Sequence, residues 1–405
     1  MNRINNSIWY ISKYGSISNN FGPTRIFGYS KWFAKLGYDV TMIYSKSNGL
    51  NNLKQNNLYY ITRHQGFKQV QINGANITLG FSFKRALTWL IFEINLFRYL
   101  TKQKNYPSIV IISSLSLFTI LNGLYLKRKG AKLIFEVRDI WPFSLQELKG
   151  LSKFNVFIKF LSLFEKLAYK KSNIIIGTMP NLKQHVFSII KRSNKVFYIP
   201  MAFDKSLYKD DDLPLKLIDK IPKNKFLVGY AGSIGNANMI QNIIDTAINT
   251  QVKYKNIYYL ILGDGPLRNS FEKNNTSPNV IFLGKTTKNK VPSFLRLCHV
   301  LINPWANKKI YEFGVSPNKW IDYMYSAKPI IVSYSGYKSL INDAGCGEFV
   351  EAENIKALSN KILEYSRMPK KELDHIGQKG KSYLEENLTY EILAKKYLTI
   401  ILENE

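Results

Sequence analysis

Short apolar segments alternate with amphipathic segments along almost the whole chain, and this alternation limits what the chain can fold into. Ile8–Ser12, Ser108–Ser113 and Lys132–Val137 are nearly continuous in apolar residues, which is typical of strands buried on both faces of a parallel sheet. Between such segments lie others with helical periodicity, including Thr24–Leu36 and Phe83–Lys102. The alternation predicts an α/β fold with parallel sheets covered by helices on both faces.

The alternation falls into two series, which indicates two domains. The first series ends at Val196–Ile199 and the second begins at Phe226–Ala231. Between them lies Asp204–Lys225, which is rich in Asp, Lys and Pro and is interpreted as a linker. A chain of 405 residues is also long for a single core. We expect a first domain at residues 1–205 and a second at 206–384, with a terminal helix at about 385–405 that packs back on the first.

The chain is strongly basic, since 57 Lys and Arg against 28 Asp and Glu give a formal net charge of +29. Such an excess favours an anionic partner: a nucleic acid, a phosphate-bearing substrate or an acidic membrane surface. Two cysteines cannot form a disulfide framework, so we expect a reducing, cytoplasmic location. The amino terminus does not resemble a signal peptide. Ser108–Leu126 is interrupted by Ser, Thr and an Asn-Gly pair, so it predicts a strand and a buried helix instead of a membrane span.

Two glycine-rich loops in the second series are candidates for binding phosphate. Gly232–Gly235 follows an apolar strand, and Gly263–Gly265 follows the next strand and precedes Pro266. In open parallel sheets, ligands bind at the carboxyl ends of the strands, where small residues let backbone N–H groups approach an anion. A tight turn with no ligand would have a similar sequence, so each loop alone is weak evidence.

The most specific segment is Ser316-Pro317-Asn318-Lys319, with Asp322 one helical turn further along. Ser316 is expected to cap a helix whose first residue is Pro317. Free N–H groups at the start of a helix, together with a lysine, suit a diphosphate. A carboxylate one turn deeper, on the same helix face as Asn318, suits the diol of a ribose.

These loops and parts of the first series together resemble the nucleotide-sugar-dependent glycosyltransferases of family 4, over nearly the whole chain. In the first half the similarity lies in Phe21-Gly-Pro-Thr-Arg25 and Phe135-Glu-Val-Arg-Asp-Ile-Trp-Pro142. In the second half the three loops match in order and spacing. The Ser-Pro-Asn-Lys form is particularly similar to the subgroup that builds bacterial surface polysaccharides, including O-antigen. The resemblance implies the GT-B fold, with two Rossmann-like, doubly wound domains facing each other across a cleft.

The resemblance also implies roles for individual residues. Catalytic or sugar-facing roles fall on Glu136, Arg138, Asp139 and Lys319, and acceptor contacts on Gly22, Thr24 and Arg25. Donor-binding roles fall on Gly232, Ser233, Gly235, Gly263, Asp264, Gly265, Ser316, Pro317, Asn318, Lys319 and Asp322.

Several positions depart from the family pattern. The family has two glutamates eight positions apart, and here those positions hold Gly314 and Asp322. Asn236 and Asn238 stand where the family usually has Arg and Lys after the first donor loop. Arg138 occupies a position where a His often precedes the Asp of the sugar-facing segment.

The resemblance implies transfer of a sugar, with retention of configuration, from a UDP- or GDP-sugar in the second domain. Helix-terminal N–H groups, with Ser316, Asn318 and Lys319, would stabilise the leaving diphosphate. We therefore expect no metal and no other cofactor, and we assign no general base. The acid run Asp210–Asp212 matches a metal-binding pattern formally, but a solvated linker accounts for it better.

Basic groups in the first domain accompany an aromatic segment. Lys127-Arg128-Lys129, Lys170-Lys171 and Lys191-Arg192 lie in the same half of the chain as Phe154–Phe164, which has aromatic and cationic residues at helical spacing. This pattern suits contact with an anionic membrane surface, which would deliver a lipid-linked saccharide acceptor. A helix packed in the core, with solvated lysines, fits the pattern equally well.

Two further functions are compatible with the sequence. Nucleotide-sugar epimerases share the two-domain fold, but they act on a soluble sugar and need no basic membrane-facing surface. A nucleic-acid-binding protein would explain the charge of +29, although the chain has no recognised nucleic-acid motif, so we expect no nucleic-acid partner.

Overall fold

A computed structural model describes the chain at residues 6–15, 24–45, 57–64, 66–74, 83–114, 116–208, 211–235 and 238–404. The chain forms two compact units. The amino-terminal unit comprises residues 1–200 and 390–405, and the carboxyl-terminal unit comprises residues 201–389. Each unit is built on a mostly parallel sheet, which confirms the predicted α/β fold with two parallel-sheet domains.

The amino-terminal unit contains an eight-stranded sheet. Its strands are β1 Ser7–Ser12, β2 Asp39–Ser45, β3 Tyr59–His64, β4 Phe67–Ile72, β5 Ile109–Ser113, β6 Lys132–Val137, β7 Ile174–Gly177 and β8 Val196–Tyr198. Their order across the sheet is β3-β4-β2-β1-β5-β6-β7-β8. Every residue of β1, β5 and β7 is buried, so the apolar segments seen in the sequence form the centre of the unit.

Helices cover this sheet. They are α1 Arg25–Lys35, α2 Phe83–Thr101, α3 Thr119–Arg128, α4 Phe143–Lys149, α5 Val156–Lys171 and α6 Leu182–Ile190. The segment Ser108–Leu126 forms β5 and most of α3, as predicted. None of the described helices is long and apolar enough to cross a bilayer.

One edge of the sheet differs from the expected parallel arrangement. β3 runs antiparallel to β4, with Tyr59 opposite Ile72 and His64 opposite Phe67. Only two residues separate these strands, and a connection this short can join antiparallel strands but not parallel ones. Gly66, in this connection, has a φ of +86°, a value that glycine adopts without strain.

The carboxyl-terminal unit has a six-stranded sheet. Its strands are β9 Phe226–Ala231, β10 Ile257–Leu262, β11 Val280–Gly284, β12 Val300–Pro304, β13 Ile330–Ser333 and β14 Gly347–Val350, in the order β11-β10-β9-β12-β13-β14, and every pairing is parallel. Its helices are α7 Leu215–Ile218, α8 Ile240–Lys253, α9 Arg268–Asn274, α10 Val291–Leu297, α11 Asn318–Tyr325, α12 Ile341–Ala344, α13 Ile355–Arg367 and α14 Lys370–Asn387. The last helix, α15 Tyr390–Glu403, belongs to the amino-terminal unit.

A buried ion pair joins α1 to the sheet of the amino-terminal unit. Arg25 Nε donates to Glu136 Oε1 at 2.8 Å, and both side chains are fully buried. Tyr10 Oη donates to the other Glu136 oxygen at 2.5 Å. The remaining Arg25 nitrogens donate to the main-chain oxygens of Ile199, at 3.0 Å, and Pro200. The cluster therefore connects β1, β6, α1 and the segment through which the chain leaves the unit.

We expect the substitution Glu136→Gln to lower the free energy of unfolding by about 3 kcal/mol or more, because it leaves the Arg25 charge buried without a compensating carboxylate. Urea unfolding followed by circular dichroism measures this loss. Glu386→Gln, at an exposed position on α14, is the matched control and should change stability by less than about 0.5 kcal/mol. Equal effects of the two substitutions would contradict the importance of the pair.

Candidate active site

Two glycine loops contact each other at the carboxyl ends of β9 and β10. Because these strands are neighbours in the sheet, the loops that follow them are neighbours as well. Gly232 N–H donates to Leu262 O at 3.0 Å, and Ile234 N–H donates to Asp264 O at 2.9 Å. The two loops predicted from the sequence therefore form one backbone platform at this edge of the sheet.

The glycines of the second loop are needed for this contact. A Cβ atom on Gly263 would lie 1.8 Å from Gly232 O, and one on Gly265 would lie 2.3 Å from Ile234 O. Gly263 also has a φ of +155°. Packing of the loops thus explains these two glycines. Ser233 stays exposed, and in the described part of the chain its N–H group has no hydrogen-bond partner.

The start of α11 differs in detail from the prediction. The helix begins at Asn318 with Pro317 as its N-cap residue, and Ser316 does not cap it. Instead, Ser316 Oγ accepts a hydrogen bond from Met201 N–H at 2.9 Å. Proline at the cap position has no hydroxyl, so the helix start keeps free donors: within the described residues, the N–H groups of Asn318 and Lys319 have no partner.

Lys319 extends from α11 to the first glycine loop. Its Nζ atom donates to Tyr230 Oη at 3.1 Å and to Asn238 Oδ1 at 2.8 Å, and it lies 3.1 Å from the position of a Cβ atom on Gly232. Both partners are neutral, and no carboxylate pairs with this ammonium group among the described residues. Burial lowers the pKa of Lys319 to about 7. The cation at this loop therefore comes from α11.

Asp322 lies one turn further along α11 and is already paired. Lys288 Nζ contacts its two carboxylate oxygens at 2.7 and 2.5 Å, and Tyr208 Oη donates to Oδ1 at 2.8 Å. The side chain of Asp322 is 10% exposed. Binding of a ribose diol by this carboxylate stays a prediction, and it requires the diol to share the carboxylate with Lys288 and Tyr208.

A cationic groove adjoins the second glycine loop, since Gly263 N–H donates to Gly284 O at 2.9 Å, at the end of β11. The groove has a volume of about 620 Å³. Among the described residues, no Asp or Glu lines it. Its lining residues are Pro214, Lys216, Leu217, Lys220, Arg268, Leu283, Gly284, Lys285, Thr286, Thr287 and Lys290.

In the amino-terminal unit, Arg138 and Asp139 follow β6. Asp139 Oδ2 accepts hydrogen bonds from Trp141 Nε1 at 2.8 Å and from Ser144 Oγ at 3.3 Å. Burial raises the pKa of Asp139, although these hydrogen bonds oppose the shift. The Arg138 backbone N–H donates to Ser114 Oγ at 3.0 Å. The Arg138 side-chain Nε is buried and has no hydrogen-bond partner in the described part of the unit.

The structure separates Glu136 and Arg25 from this edge. Both side chains are fully buried and bonded to each other, so neither is accessible to a sugar or an acceptor. Their predicted contact with substrate therefore does not fit the structure, because the two charges compensate each other in the interior. Thr24 is the N-cap residue of α1, and Gly22 lies outside the described residues.

A group of aromatic residues lies beside Asp139, and sequence reasoning missed two of them, Tyr14 and Trp89. Lys13, directly after β1, donates to Thr88 Oγ1 at 2.7 Å. Trp89 Nε1 donates to Tyr14 Oη at 2.7 Å, and the Trp89 ring lies 5.3 Å from that of Trp141. The sequence offered one sign of this group. Lys13 directly follows the buried strand β1, which ends at the same edge of the sheet as β6.

Metal ligands are not evident. Within the described residues, no three His, Cys, Asp or Glu side chains lie together as a metal site would require. The predicted independence from metal stays a prediction.

Residues 225–367, all in the carboxyl-terminal unit, match the family model described as glycosyl transferases group 1. No curated protein sequence matches the chain. Solved structures share its fold. Sucrose-phosphate synthase from Thermosynechococcus elongatus is 15% identical, with a TM-score of 0.72 and coverage of 98% of both chains. Anabaena HepE in complex with UDP-glucose is 12% identical, with a TM-score of 0.66 and coverage of 98% of this chain and 99% of that one.

A third similar structure is the α,α-trehalose-phosphate synthase (UDP-forming) from Burkholderia vietnamiensis. It is 9% identical, with a TM-score of 0.72 and coverage of 98% of both chains. These likenesses establish the GT-B fold. Together with the family-model match, they support a glycosyltransferase, as predicted.

The lowered pKa of Lys319 predicts a pH-dependent stability. Between pH 7 and about pH 10 the unfolded chain keeps this proton while the folded chain loses it, so the free energy of unfolding rises with pH in this window. Lys319→Met should lack this rise. The free energy of unfolding of wild type minus that of the variant should therefore increase from pH 7 to pH 10. Urea unfolding across this range, with exposed Lys308→Met as the control, measures the difference. Parallel stability profiles for all three proteins would show that the ammonium group is not perturbed.

Proposed function

We propose that this chain is a retaining glycosyltransferase that moves a sugar from a UDP- or GDP-sugar to a lipid-linked saccharide during synthesis of a bacterial surface polysaccharide. The motif resemblance to family 4, and to its O-antigen subgroup, supports the retaining mechanism and the biological role. HepE, of similar fold, was solved with UDP-glucose, which supports a nucleotide-sugar donor.

The observation that carries the proposal is the position of Lys319. Its ammonium group lies beside Gly232, and among the described residues its hydrogen-bond partners are Tyr230 and Asn238. The free N–H groups at the start of α11 are also suited to binding an anion. A diphosphate would supply the missing negative charge, and the cationic groove that adjoins the second glycine loop would attract it.

The same groups explain how transfer would proceed. When the bond between sugar and phosphate breaks, negative charge develops on the leaving diphosphate. Lys319 and the free N–H groups stabilise this charge without reorganising, because the fold already holds them in place. Diphosphate binding favours the protonated form of Lys319, so the lysine carries its full charge when the reaction needs it. Arg138 and Asp139 are the candidates for orienting the sugar or the acceptor.

The lipid-linked acceptor and the anionic membrane surface are supported by exposed apolar residues in the amino-terminal unit. On α2, Leu87, Leu90, Ile94 and Phe97 are 45–53% exposed. Their spacing of three, four and three residues places them along one face of the helix. A continuous apolar stripe on a surface helix marks an interaction site more often than scattered single residues do.

Transfer is tested by first finding the donor in a thermal-shift screen of UDP, GDP and their sugars. The matching donor is then incubated with a synthetic polyprenyl diphosphate saccharide, and product is detected by mass spectrometry. We expect product with wild type and with Lys308→Ala, and a loss of kcat/KM on the order of a hundredfold in folded Lys319→Ala. Unchanged kcat/KM in that variant would remove Lys319 from the site.

Incubation with donor alone distinguishes the competing function. An epimerase would change the configuration of the sugar without any acceptor, whereas a transferase needs the acceptor or releases the sugar slowly to water. Conversion of the donor to its epimer would therefore replace the transferase proposal.

The role of Asp322 is tested separately with its ion-pair partner. If Asp322 binds the ribose diol, Asp322→Asn should raise the Kd for UDP or GDP on the order of tenfold, while Lys288→Met should change it much less. Calorimetric titration of both variants measures these constants, and thermal unfolding records the stability that each loses with the ion pair. Equal nucleotide affinity in wild type and Asp322→Asn would assign the carboxylate to stability alone.

A further inference from the structure

A second cationic cavity lies in the amino-terminal unit, at the carboxyl ends of α5 and α6. Its volume is about 470 Å³. Four of its described lining residues are cations, and none of the described ones is an acid. The lining residues are Lys170, Lys171, Ile190, Arg192, Asn194 and Lys195. We name it the headgroup pocket.

Main-chain oxygens at the end of α5 accept hydrogen bonds from Lys195, which lines the pocket, and from Lys127 of α3. Lys127 Nζ donates to Lys171 O at 2.7 Å, and Lys195 Nζ donates to Ser172 O at 2.5 Å and to Lys170 O at 3.3 Å. Burial and the neighbouring cations lower the pKa of both lysines. These contacts cap the helix, as cations at a helix end do.

Capping does not account for the other cations. In the described part of the chain, the side chains of Lys170, Lys171 and Arg192 have no acidic partner. Like charges this close repel one another, and an anion in the pocket would relieve the repulsion. The pocket therefore has the charge to bind a phosphate group.

The surface of α5 indicates where such a phosphate comes from. Val156, Phe160 and Leu163 are 83%, 46% and 65% exposed, and half-buried Leu167 follows them. Spacings of four, three and four residues place all four on one face of the helix, and the next positions on that face are Lys170 and Lys171. The opposite face packs in the core, with Ile158, Leu161 and Ala168 buried.

This stripe runs from Val156 to Lys170, about 21 Å at the rise of an α-helix. A helix with an apolar stripe that ends in cations matches the boundary of a membrane, where acyl chains meet charged headgroups. A soluble phosphate would explain the pocket but not the exposed apolar residues that lead to it.

We propose that the headgroup pocket binds the phosphate of an acidic phospholipid while the apolar stripe of α5 contacts the acyl chains. This inference rests on the membrane association in the proposed function and deepens it by naming the lipid group and its site. Docking of this kind would keep the amino-terminal unit beside a lipid-linked acceptor.

The test uses the full chain and sedimentation with vesicles of phosphatidylcholine, with and without phosphatidylglycerol. Wild type should bind the acidic vesicles. Lys171→Gln with Arg192→Gln should weaken this binding about twenty- to thirty-fold, since each cation near an acidic leaflet contributes about fivefold. The matched control is Lys35→Gln with Arg63→Gln, exposed residues of the same unit, which should change binding less than about twofold.

Two results would overturn the proposal. Equal losses in the two double variants would show that net charge alone governs binding. Failure of wild type to bind acidic vesicles, together with binding of glycerol phosphate in solution that is abolished by the pocket variant, would assign the pocket to a soluble ligand.

A nucleotide thermal shift keeps this proposal separate from the enzymatic one. The headgroup pocket lies in the amino-terminal unit and the glycine loops lie in the carboxyl-terminal unit, so the pocket variant should keep the shift seen with the matching nucleotide. Loss of vesicle binding with a retained nucleotide shift supports the pocket. A retained shift in a wild type that ignores acidic vesicles rejects the pocket and leaves the transferase proposal standing.

Discussion

The amino-terminal unit depends on the buried contact between Arg25 and Glu136. A buried ion pair does not by itself guarantee stability, because removing two charges from water costs much of what their attraction returns. Its effect is on arrangement: an Arg25 without Glu136, or the reverse, leaves an uncompensated charge in the core. The guanidinium satisfies its other donors on the main-chain oxygens of Ile199 and Pro200, and the ring of Tyr29 lies 4.7 Å from it. The packing of α1 against β6 and the exit segment meets all these requirements at once.

The candidate donor site follows a different electrostatic rule. The interior pair is complete, whereas Lys319 has neutral partners and a pKa near 7. An anion beside Lys319 would favour the charged form of the lysine, and a neutral ligand would not. Backbone N–H groups contribute fixed dipoles at no cost of ordering. The fold thus places a lysine without an acidic partner among the described residues, together with free N–H groups, near the ends of the strands.

Much of the fold could be predicted from the sequence, because buried parallel strands leave a direct signal. Apolar runs such as Ile109–Ser113 identified strands, and the change of series near residues 204–225 indicated two domains. The antiparallel edge was missed, because the short connection between β3 and β4 was not recognised in the sequence as a tight turn. The apolar pattern of the strands indicates a parallel sheet, whereas the direction of the edge strand β3 depends on a two-residue connection.

Side-chain roles were harder to predict, for reasons of burial. Motif similarity selected Glu136 and Arg138 alike, but Glu136 points into the core and Arg138 follows the strand at its open end. Helical periodicity in α5 was equally consistent with a core helix and a surface helix; the structure shows one face of each kind. Periodicity reports that a face is apolar and cannot report what covers it.

The position of α15 has a consequence for how the protein is made. This helix closes the amino-terminal unit, where the Tyr390 ring lies 5.2 Å from that of Tyr29 and close against Gly28. A ribosome nevertheless synthesises α15 after the entire carboxyl-terminal unit. Domains generally fold in order of synthesis, but here α1 lacks its packing partner α15 until the end of the chain has been made. The first unit can therefore complete its fold only after the whole second unit has been synthesised.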